Sequence, residues 1–436
     1  MIAWTGTYAV PAATDPVAIS VQVSGRTASV AFGDGHAVST TVALGKHGTR
    51  VRFAFPGLPS NLVFDGTVKR NVWSGTVRQG KLRGRFNLRR HASRILPLLG
   101  LYRSPKGTGL TIVQPEGDYP PWMIELPSGM THGIGASLTV GDKLGDRSGN
   151  GSITPDATGF TWNGTHYTRV RLRQREVRVG VDAATLTLPP GRGPFPAVAM
   201  VHGSGVHTRS EFQVFAAHCE LLGIAVLADD KRGNGQSLGD YPGEGATDST
   251  VKMLAHDAQL EARFLAKLPS IDPKRVGLLG DSQAGWIIAY AAARESAVKW
   301  AVAIVGPTVT VDQTDYWGNL AGKSQYPPTA SQSEMLRLTR AFGGGGFDPR
   351  PWLAKLHIPV FWTFGEDDRN VPTVLCVEAL EALKPGHDFS WVVIPMTHTP
   401  IVLPNGLFSS LGQSTGFHPE FFPAIGDWLR SRSIAG

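Results

Sequence analysis

The chain has 436 residues, of which 42% are hydrophobic and 18% are charged, the composition of a folded globular protein rather than a disordered one. It contains no run of about 18 consecutive apolar residues, which excludes a membrane-spanning helix. The formal net charge of +7 is concentrated at one end, because residues 1–92 carry 12 basic and three acidic side chains while the remainder carries 30 and 32. The sequence therefore joins a basic N-terminal module to a nearly neutral remainder.

The number of cysteines and the N-terminal residues indicate which cofactors and which cellular compartment to expect. Cys219 and Cys376 are too few for a disulfide framework or a cysteine-based zinc site, and no metal or organic cofactor is predicted. The N-terminus lacks a charged segment followed by an apolar one, so no signal peptide is predicted. The default expectation is a cytoplasmic protein, and export is left open.

Residues 1–92 have the pattern of short β-strands. Apolar and polar residues alternate along several segments, and turn residues recur about every ten positions: 18–23, 51–55, 63–68 and 82–88. This rhythm predicts a β-rich domain, barrel-like or sandwich-like. Lys81, Arg83 and Arg85 share one face of the last strand, either as an ordinary solvated face or as a contact for an anionic surface. No nucleic-acid-binding motif occurs.

The remaining chain divides into two parts. Residues 93–172 are strand-like but irregular, which predicts a second β-rich segment or an extended connection. In residues 173–436, buried-strand runs alternate with helical segments, notably a long helix over 250–268. Apolar strands separated by helices predict an α/β fold with a mostly parallel sheet covered on both faces. The predicted strands lie at 197–201, 224–228, 276–279, 300–305, 360–364 and 391–394.

The strongest local motif is a serine between a strand and a helix, at residues 280–285. In a strand–turn–helix context, such a serine sits on a sharp elbow with its hydroxyl exposed. Gly280 and Ala284 keep the neighbouring positions small, so strand and helix can approach closely. Ser282 is therefore the candidate nucleophile, and the alternative is a helix-capping serine.

A serine hydroxyl needs a base, and the base needs an orienting carboxylate. His398 follows the last predicted strand, at the sheet edge where ligands of open α/β sheets bind. His387 precedes that strand and is expected at the opposite edge. Asp368, in the loop after the preceding strand, is the preferred carboxylate, and the spacing leaves Asp367 open. The order Ser, Asp, His, with each residue just past the end of a predicted strand, argues against a chance arrangement.

Donors for a developing oxyanion are expected from two backbone N–H groups. One is that of Gln283, directly after the serine. The other comes from the glycine-rich 202–205 segment, where the N–H of Ser204 is preferred and that of Gly205 remains open.

About fifty residues, 306–358, separate two of the predicted strands, which is too long for a plain connection. This insertion is rich in aromatic residues and predicts a lid over the serine, with packing of a short helix as the plainer interpretation. Trp286, Tyr316 and Trp317 are the candidate substrate-binding residues of an apolar acyl pocket.

Together these motifs resemble the α/β-hydrolase superfamily over roughly residues 175–436. The resemblance includes the 202–205 segment, a D-x-R-G-x-G-x-S-like loop at 230–237, the 280–285 elbow and the loop around Asp368. The Ser-Gln pair and the 348–352 run resemble the branch of dienelactone-hydrolase-like, prolyl-oligopeptidase-like and acyl-thioesterase-like enzymes. This resemblance implies the triad Ser282, Asp368 and His398. Asp281 stands where many members carry His.

The leading functional prediction is a serine hydrolase that cleaves a carboxylic ester through an acyl-enzyme, with a small-molecule acyl substrate and no cofactor. Acyl-thioesterase or peptidase activity on the same triad remains an alternative, because fold does not determine substrate. A non-hydrolytic lyase or cyclase and a binding protein led by the N-terminal module are the other classes considered.

Overall fold

The structure is a computed structural model, and its described residues cover most of the chain: 2–9, 17–24, 27–32, 37–41, 43–44, 50–55, 62–69, 72–79, 81–91, 96–114, 121–135, 137–243 and 245–436. Three β-sheets and one strand pair organise this part of the chain. Among these residues, no helix combines the length and the apolarity needed to cross a membrane.

The N-terminal region forms one nine-stranded antiparallel sheet in the order β4-β3-β2-β1-β9-β8-β7-β6-β5. Its strands are β1 (Ile2–Ala9), β2 (Val17–Ser24), β3 (Thr27–Phe32), β4 (Ala37–Thr41), β5 (Ala43–Leu44), β6 (Arg50–Phe55), β7 (Leu62–Lys69), β8 (Val72–Gln79) and β9 (Leu82–His91). The four segments predicted from alternation are confirmed as strands. The barrel-like or sandwich-like assignment remains a prediction.

One face of this sheet forms an aromatic core. Phe86 lies edge-on to Phe64 at 5.3 Å and to Trp73 at 5.6 Å between ring centroids. Because side chains alternate along β9, Arg83 and Arg85 point to the other face and are exposed.

The middle region contains a seven-stranded sheet, in the order β13-β12-β11-β10-β18-β17-β16, and the pair β14-β15. Its strands are β10 (Gly100–Arg103), β11 (Gly109–Val113), β12 (Trp122–Leu126), β13 (Thr131–Gly133), β14 (Thr139–Gly141), β15 (Gly149–Ser152), β16 (Thr154–Pro155), β17 (Gly159–Trp162) and β18 (Thr165–Arg169). In its own core, Phe160 stacks on Tyr167 at 5.4 Å and meets Tyr102 edge-on at 4.7 Å between ring centroids.

The middle region also packs against the C-terminal region. Leu101, Trp122 and Ile124 belong to the same apolar cluster as the last helix of the chain. The backbone N–H of Thr131 donates to the carbonyl of Thr415 at 2.8 Å, which ties the two regions together beyond side-chain packing. This contact supports the long segment that follows the last strand of the α/β sheet.

Residues 173 onward form an eight-stranded mixed sheet in the order β19-β20-β22-β21-β23-β24-β25-β26. Its strands are β19 (Arg173–Val179), β20 (Asp182–Leu188), β21 (Phe195–Val201), β22 (Ala225–Asp229), β23 (Ile271–Asp281), β24 (Trp300–Ile304), β25 (Val360–Gly365) and β26 (Phe389–Ile394). The first two pairings are antiparallel and the other five are parallel, which confirms the predicted α/β fold with a mostly parallel sheet.

Helices cover both faces of this sheet. They are α1 (Gln213–Leu221), α2 (Asp248–Ala266), α3 (Ala284–Arg294), α4 (Val311–Ala321), α5 (Gln332–Phe342), α6 (Arg350–Leu353), α7 (Thr373–Leu383) and α8 (Phe421–Ser431). Along β21, Ala197 and Ala199 pack with the cluster of α2 and α3, whereas Val198 and Met200 pack with that of α1 and α8. This period of two explains the continuous apolar run of a strand buried on both faces.

The insertion between β24 and β25 is helical. Thr310 and Ser331 cap α4 and α5, accepting hydrogen bonds from the N–H groups of Gln313 and Glu334. Trp317 and Met335 join the two helices in a small apolar cluster. The short helix predicted from apolar spacing is confirmed as part of α5, and the lid role of the insertion remains a prediction.

Candidate active site

Ser282 lies on the sharp turn between β23 and α3 in a left-handed backbone conformation, with φ of +54°. A non-glycine residue rarely adopts this conformation, and such strain concentrates at functional sites. Its N–H donates to the carbonyl of Ile304 at 2.9 Å, which anchors the turn to β24. A Cβ added at Gly280 would lie 2.1 Å from the carbonyl oxygen of Val201, so only glycine fits there.

The structure brings Ser282, His398 and Asp368 into one chain of hydrogen bonds. Ser282 Oγ lies 2.9 Å from His398 Nε2. His398 Nδ1 lies 3.1 Å from Oδ1 and 2.9 Å from Oδ2 of Asp368. Each group follows a different strand, β23, β26 and β25, and the parallel strands bring their carboxyl ends to one edge of the sheet.

Asp367 and His387, the alternatives for the carboxylate and for the base, lie outside this arrangement. Asp368 is buried, and its Oδ1 also accepts the N–H groups of Asn370 and Val371 at 2.8 Å each. Asp367, directly before it, is exposed. His387 contacts the carbonyl of Leu356 at 2.7 Å, at the other end of β26.

The electrostatics of His398 follow from its carboxylate neighbours. Burial alone lowers the pKa of this imidazole, because a charged ring loses hydration. The Asp368 carboxylate more than offsets this through its charge and its hydrogen bond, and Asp281 adds a smaller effect, so the pKa is raised above 6.5. The imidazolium form is therefore stabilised, as a base that takes a proton from serine requires.

The candidate oxyanion donors lie beside the serine. A Cβ added at Gly203 would lie 3.4 Å from Ser282 Cβ, so this segment borders the nucleophile directly. Gly205 has a φ of +108°, a conformation that favours glycine. Among the described residues, the backbone N–H groups of Gln283 and Ser204 make no hydrogen bond to the protein.

Three ionisable residues brace the 202–205 segment, and the sequence predicts this role for none of them. Lys231 Nζ donates to the carbonyl of Gly203 at 2.6 Å, and His207 contacts the carbonyl of Ser204 through Nε2 at 2.5 Å. Glu211 Oε2 lies 3.0 Å from His207 Nδ1 and 3.2 Å from His202 Nδ1. Their positions in loops and at a helix start follow no periodic pattern, so only the fold reveals them.

The charges of this group are mutually supporting. Burial opposes charge on His202, but Asp229 and Glu211 raise its pKa to about 10. Burial likewise opposes charge on Glu211, but hydrogen bonds from His202 and His207 lower its pKa to about 2. The ion pairs thus hold the segment behind the candidate oxyanion donors in a fixed arrangement.

Asp281 precedes the serine and differs electrostatically from a histidine at the same place. Burial, with a further contribution from the Glu211 carboxylate, raises the pKa of its carboxyl to about 6 against the opposing effect of His207 and His398. Its Oδ1 is buried without a hydrogen-bond partner among the described residues. A partly protonated acid therefore stands behind the elbow near neutral pH.

The predicted substrate-binding residues occupy three different environments. Trp286 is buried between α3 and the sheet, with Nε1 donating to the carbonyl of Val309 at 2.8 Å. Trp317 is buried in α4 and donates to the carbonyl of Asp368 at 3.1 Å. Tyr316 stacks on Phe342 at 4.5 Å between ring centroids. Their part in substrate binding remains a prediction.

Three buried carboxylates beneath the sheet edge could geometrically hold a metal ion. The ligand oxygens of Asp182, Asp229 and Glu261 lie within 4.8 Å of one another beside a cavity of about 30 Å³. Burial raises the pKa of Asp182 to about 8, and burial also raises that of Glu261 well above its usual range. Protonated carboxyls are poor cation ligands, so a metal ion bound here would have to displace these protons.

No protein-family model and no curated protein match the chain. Solved structures match about 60% of it. A 2,6-dihydroxy-pseudo-oxynicotine hydrolase is 21% identical, with 59% of this chain and 67% of that chain covered and a TM-score of 0.41. The Pyrococcus furiosus esterase Pf2001 is 18% identical, with 60% and 93% covered and a TM-score of 0.43. Est1E from Butyrivibrio proteoclasticus, bound to ferulic acid, is 18% identical, with 59% and 98% covered and a TM-score of 0.40.

Because these TM-scores lie below 0.5, the likeness carries no argument about what the chain acts on. The sheet order and the strained serine after β23 stand on the chain's own geometry. Combined with the motifs of the sequence, they fit a member of the α/β-hydrolase superfamily.

Proposed function

We propose that the protein is a serine hydrolase that cleaves carboxylic esters through an acyl-enzyme. The single observation that carries this proposal is the 2.9 Å distance from Ser282 Oγ to His398 Nε2. A serine on a strained turn, in contact with a carboxylate-oriented imidazole, is the arrangement that activates a hydroxyl as a nucleophile.

In the first half-reaction, Ser282 Oγ forms a bond to the ester carbonyl carbon while its proton passes to His398 Nε2. The carbonyl oxygen becomes an oxyanion, which accepts hydrogen bonds from the N–H groups of Gln283 and Ser204. The carbon–oxygen bond to the leaving alcohol then breaks, and His398 gives its proton to that alcohol. Asp368 stabilises the imidazolium throughout.

In the second half-reaction, water attacks the acyl carbon and gives a proton to His398 Nε2. Collapse of the tetrahedral intermediate breaks the bond to Ser282 Oγ, which regains the proton as the carboxylic acid leaves. Every proton is transferred through one imidazole.

The insertion of α4 to α6 serves as the lid of this site in our proposal. Its support is positional, since α4 begins shortly after β24 and its Trp317 contacts the loop of Asp368. The apolar and aromatic side chains there suit the acyl part of a small ester, with Trp286 and Tyr316 as further candidate contacts.

The test combines turnover with active-site labelling. A panel of p-nitrophenyl esters of increasing acyl length is assayed with the intact protein and with Ser282→Ala, beside a CoA thioester and an aminoacyl anilide. We expect ester turnover, loss of at least about 10³-fold in Ser282→Ala, and a fluorophosphonate label on Ser282 in the intact protein. An active Ser282→Ala contradicts the nucleophile. Preference for the thioester or the anilide moves the assignment to a thioesterase or peptidase on the same triad.

A further inference from the structure

Lys231 is a buried lysine that the proposed reaction does not use. It follows β22 and is only 2% exposed. Its Nζ donates to the carbonyl of Gly203 at 2.6 Å and to the carbonyl of Gly205 at 3.2 Å, and it lies 3.4 Å from Gln283 Oε1. An ammonium offers three donors, and burying one is costly unless acceptors surround it. Its acceptors here belong to both segments that carry the candidate oxyanion donors.

The bond to Gly203 determines where a neighbouring donor points. The carbonyl of Gly203 and the N–H of Ser204 belong to one peptide unit, and in a trans peptide they point in opposite directions. When Lys231 holds the carbonyl from one side, the Ser204 N–H is turned to the other. Gly203 itself borders Ser282 Cβ, so this peptide unit lies beside the nucleophile.

The contact with Gln283 reaches the second donor. Gln283 is buried, and its backbone N–H is the other candidate for the oxyanion. Its side-chain oxygen faces Lys231, so one ammonium links the 202–205 segment to the elbow at the start of α3. Hydrogen bonds from a charged donor are stronger than those from a neutral donor, which suits a link that must hold two backbone segments in register.

We propose that Lys231 is a positioning residue that fixes the relative placement of the Ser204 and Gln283 N–H groups for oxyanion binding. This inference rests on the proposed acyl-transfer function and adds to it a residue that acts through the backbone of others. Because the two donors act on the oxyanion of the transition state, loss of their register lowers kcat and leaves KM nearly unchanged.

The test compares Lys231→Met with a matched control, Lys299→Met. Lys299 also donates to a backbone carbonyl, that of Ser296 at 2.7 Å, but its side chain is exposed, directly before β24. We expect Lys231→Met to lower kcat about 10²-fold, with KM within about threefold of wild type, whereas Lys299→Met keeps both constants. Affinity for a trifluoromethyl ketone that forms a tetrahedral adduct should fall in parallel with kcat.

Two further measurements separate positioning from general stability. Lys231→Arg keeps the charge, and we expect it to retain the wild-type Tm within a few degrees and to recover part of kcat. Unchanged kcat in Lys231→Met, or a loss explained entirely by a lower fraction of folded protein with normal ketone affinity, overturns the proposal. If Lys231→Met does not fold, the Lys231→Arg result decides: a lowered kcat with unchanged KM supports positioning, and wild-type constants overturn it.

The rate of Ser282 labelling by a fluorophosphonate distinguishes failure of this inference from failure of the proposed ester specificity. In that reaction Ser282 Oγ bonds to phosphorus as fluoride leaves, and the phosphoryl oxygen gains charge as the ester carbonyl does. A protein that turns over no ester, yet labels about 10²-fold more slowly in Lys231→Met, supports the role of Lys231 alone. An unchanged labelling rate overturns it.

Discussion

His398 Nδ1 lies 2.9 Å from Oδ2 of Asp368, and that carboxylate is itself held by two backbone N–H groups of its own loop. The imidazole is thereby fixed in orientation, with Nε2 directed at Ser282 Oγ. The carboxylate is also the main group that raises the pKa of His398 against the effect of burial.

Asp368→Asn is expected to retain the fold and to lose activity. An amide oxygen can still accept the N–H groups of Asn370 and Val371, but the amide nitrogen cannot accept from the imidazole, so the ring takes the wrong tautomer. We expect kcat/KM to fall about 10³- to 10⁴-fold, with little change in Tm. Retention of activity within tenfold of wild type contradicts the assignment of Asp368.

The pH profile of the wild-type protein tests the same pair. Only the neutral imidazole can accept the serine proton, so kcat/KM should rise with pH, with its midpoint above 6.5 because the pKa of His398 is raised. The rising limb of Asp368→Asn should move to lower pH, since only the smaller effect of Asp281 then opposes the lowering of the pKa by burial. The measurement is residual ester turnover from pH 5 to 9, and identical midpoints in the two proteins argue against the coupling.

Asp281→Asn tests the smaller of the two carboxylate effects on the pKa of His398. The Asp281 carboxylate contributes to the raised pKa of His398, but less than Asp368 does. We therefore expect the rising limb to move in the same direction by a smaller amount, while kcat at alkaline pH stays within about tenfold of wild type. A shift larger than that of Asp368→Asn contradicts this order of effects.

The two glycines of the 202–205 segment should differ in their tolerance of a methyl group. A Cβ at Gly205 would lie 2.8 Å from His207 Nε2, and its φ of +108° strains any other residue. At Gly203 the nearest atom would be Asp281 Oδ2 at 3.2 Å, without a positive φ. We expect Gly205→Ala to lower kcat at least about tenfold more than Gly203→Ala, at similar Tm. An equal loss of kcat in the two variants, measured at steady state, contradicts this difference and indicates that the segment adjusts its backbone to the added methyl group.

The sequence predicts the parts of this site that depend on short-range pattern. Small residues around Ser282, between a strand and a helix, indicate an elbow, and the ends of parallel strands locate the Asp368 loop and His398 at one edge. The choice of Asp368 over Asp367 requires the turn of the loop itself. Lys231 could not be predicted to contact Gly203, because the contact joins positions 28 residues apart through a bend after β22.

In the fold as a whole, too, the sequence predicts what depends on short-range pattern and not what depends on contacts between distant segments. The regular alternation of residues 1–92 and the buried runs after residue 173 identify strands, because each strand has a face or faces to bury. The middle region has short strands interrupted by glycine and proline, and its seven-stranded sheet depends on pairings between distant segments such as β10 with β18. Its contact with Thr415 is likewise a tertiary property.

The tryptophans of α3 and α4 form a matched pair for testing the lid. Trp317→Phe removes the hydrogen bond to the Asp368 carbonyl, and Trp286→Phe removes a comparable bond to Val309. Each should lower the free energy of unfolding by about 1 kcal/mol or more. We expect Trp317→Phe to reduce kcat severalfold, because its bond supports the carboxylate loop. Trp286→Phe alters a proposed substrate contact away from that loop, so we expect its effect on turnover to fall on KM rather than on kcat. Equal kcat in both variants, measured at saturating ester, contradicts this role of α4.

Asp182 provides a test of stability against pH that does not depend on catalysis. Its side chain is 1% exposed, and burial followed by repulsion from Asp229 raises its pKa from 3.8 to about 8. The folded protein therefore keeps a proton that the unfolded chain loses near pH 4, so the free energy of unfolding falls as the pH rises from about 4 to 8. Asp182→Asn removes this dependence while keeping the size of the side chain.

We expect Asp182→Asn to have the same free energy of unfolding as wild type at pH 4 and to be more stable at pH 8 by several kcal/mol. The upper bound is about 6 kcal/mol, since a shift from 3.8 to about 8 is about four pKa units of about 1.4 kcal/mol each. Urea denaturation at both pH values measures the difference. The control is Asp427→Asn on α8, whose side chain is 75% exposed and should give no pH-dependent gain. Glu261 also holds its proton in the folded state, but it does so in both proteins, so its own pH dependence cancels in the difference. If the free energy of unfolding changes equally with pH in Asp182→Asn and in wild type, the Asp182 carboxylate is charged in the folded protein and is stabilised by a partner such as a cation. That result contradicts the assignment of a proton to Asp182.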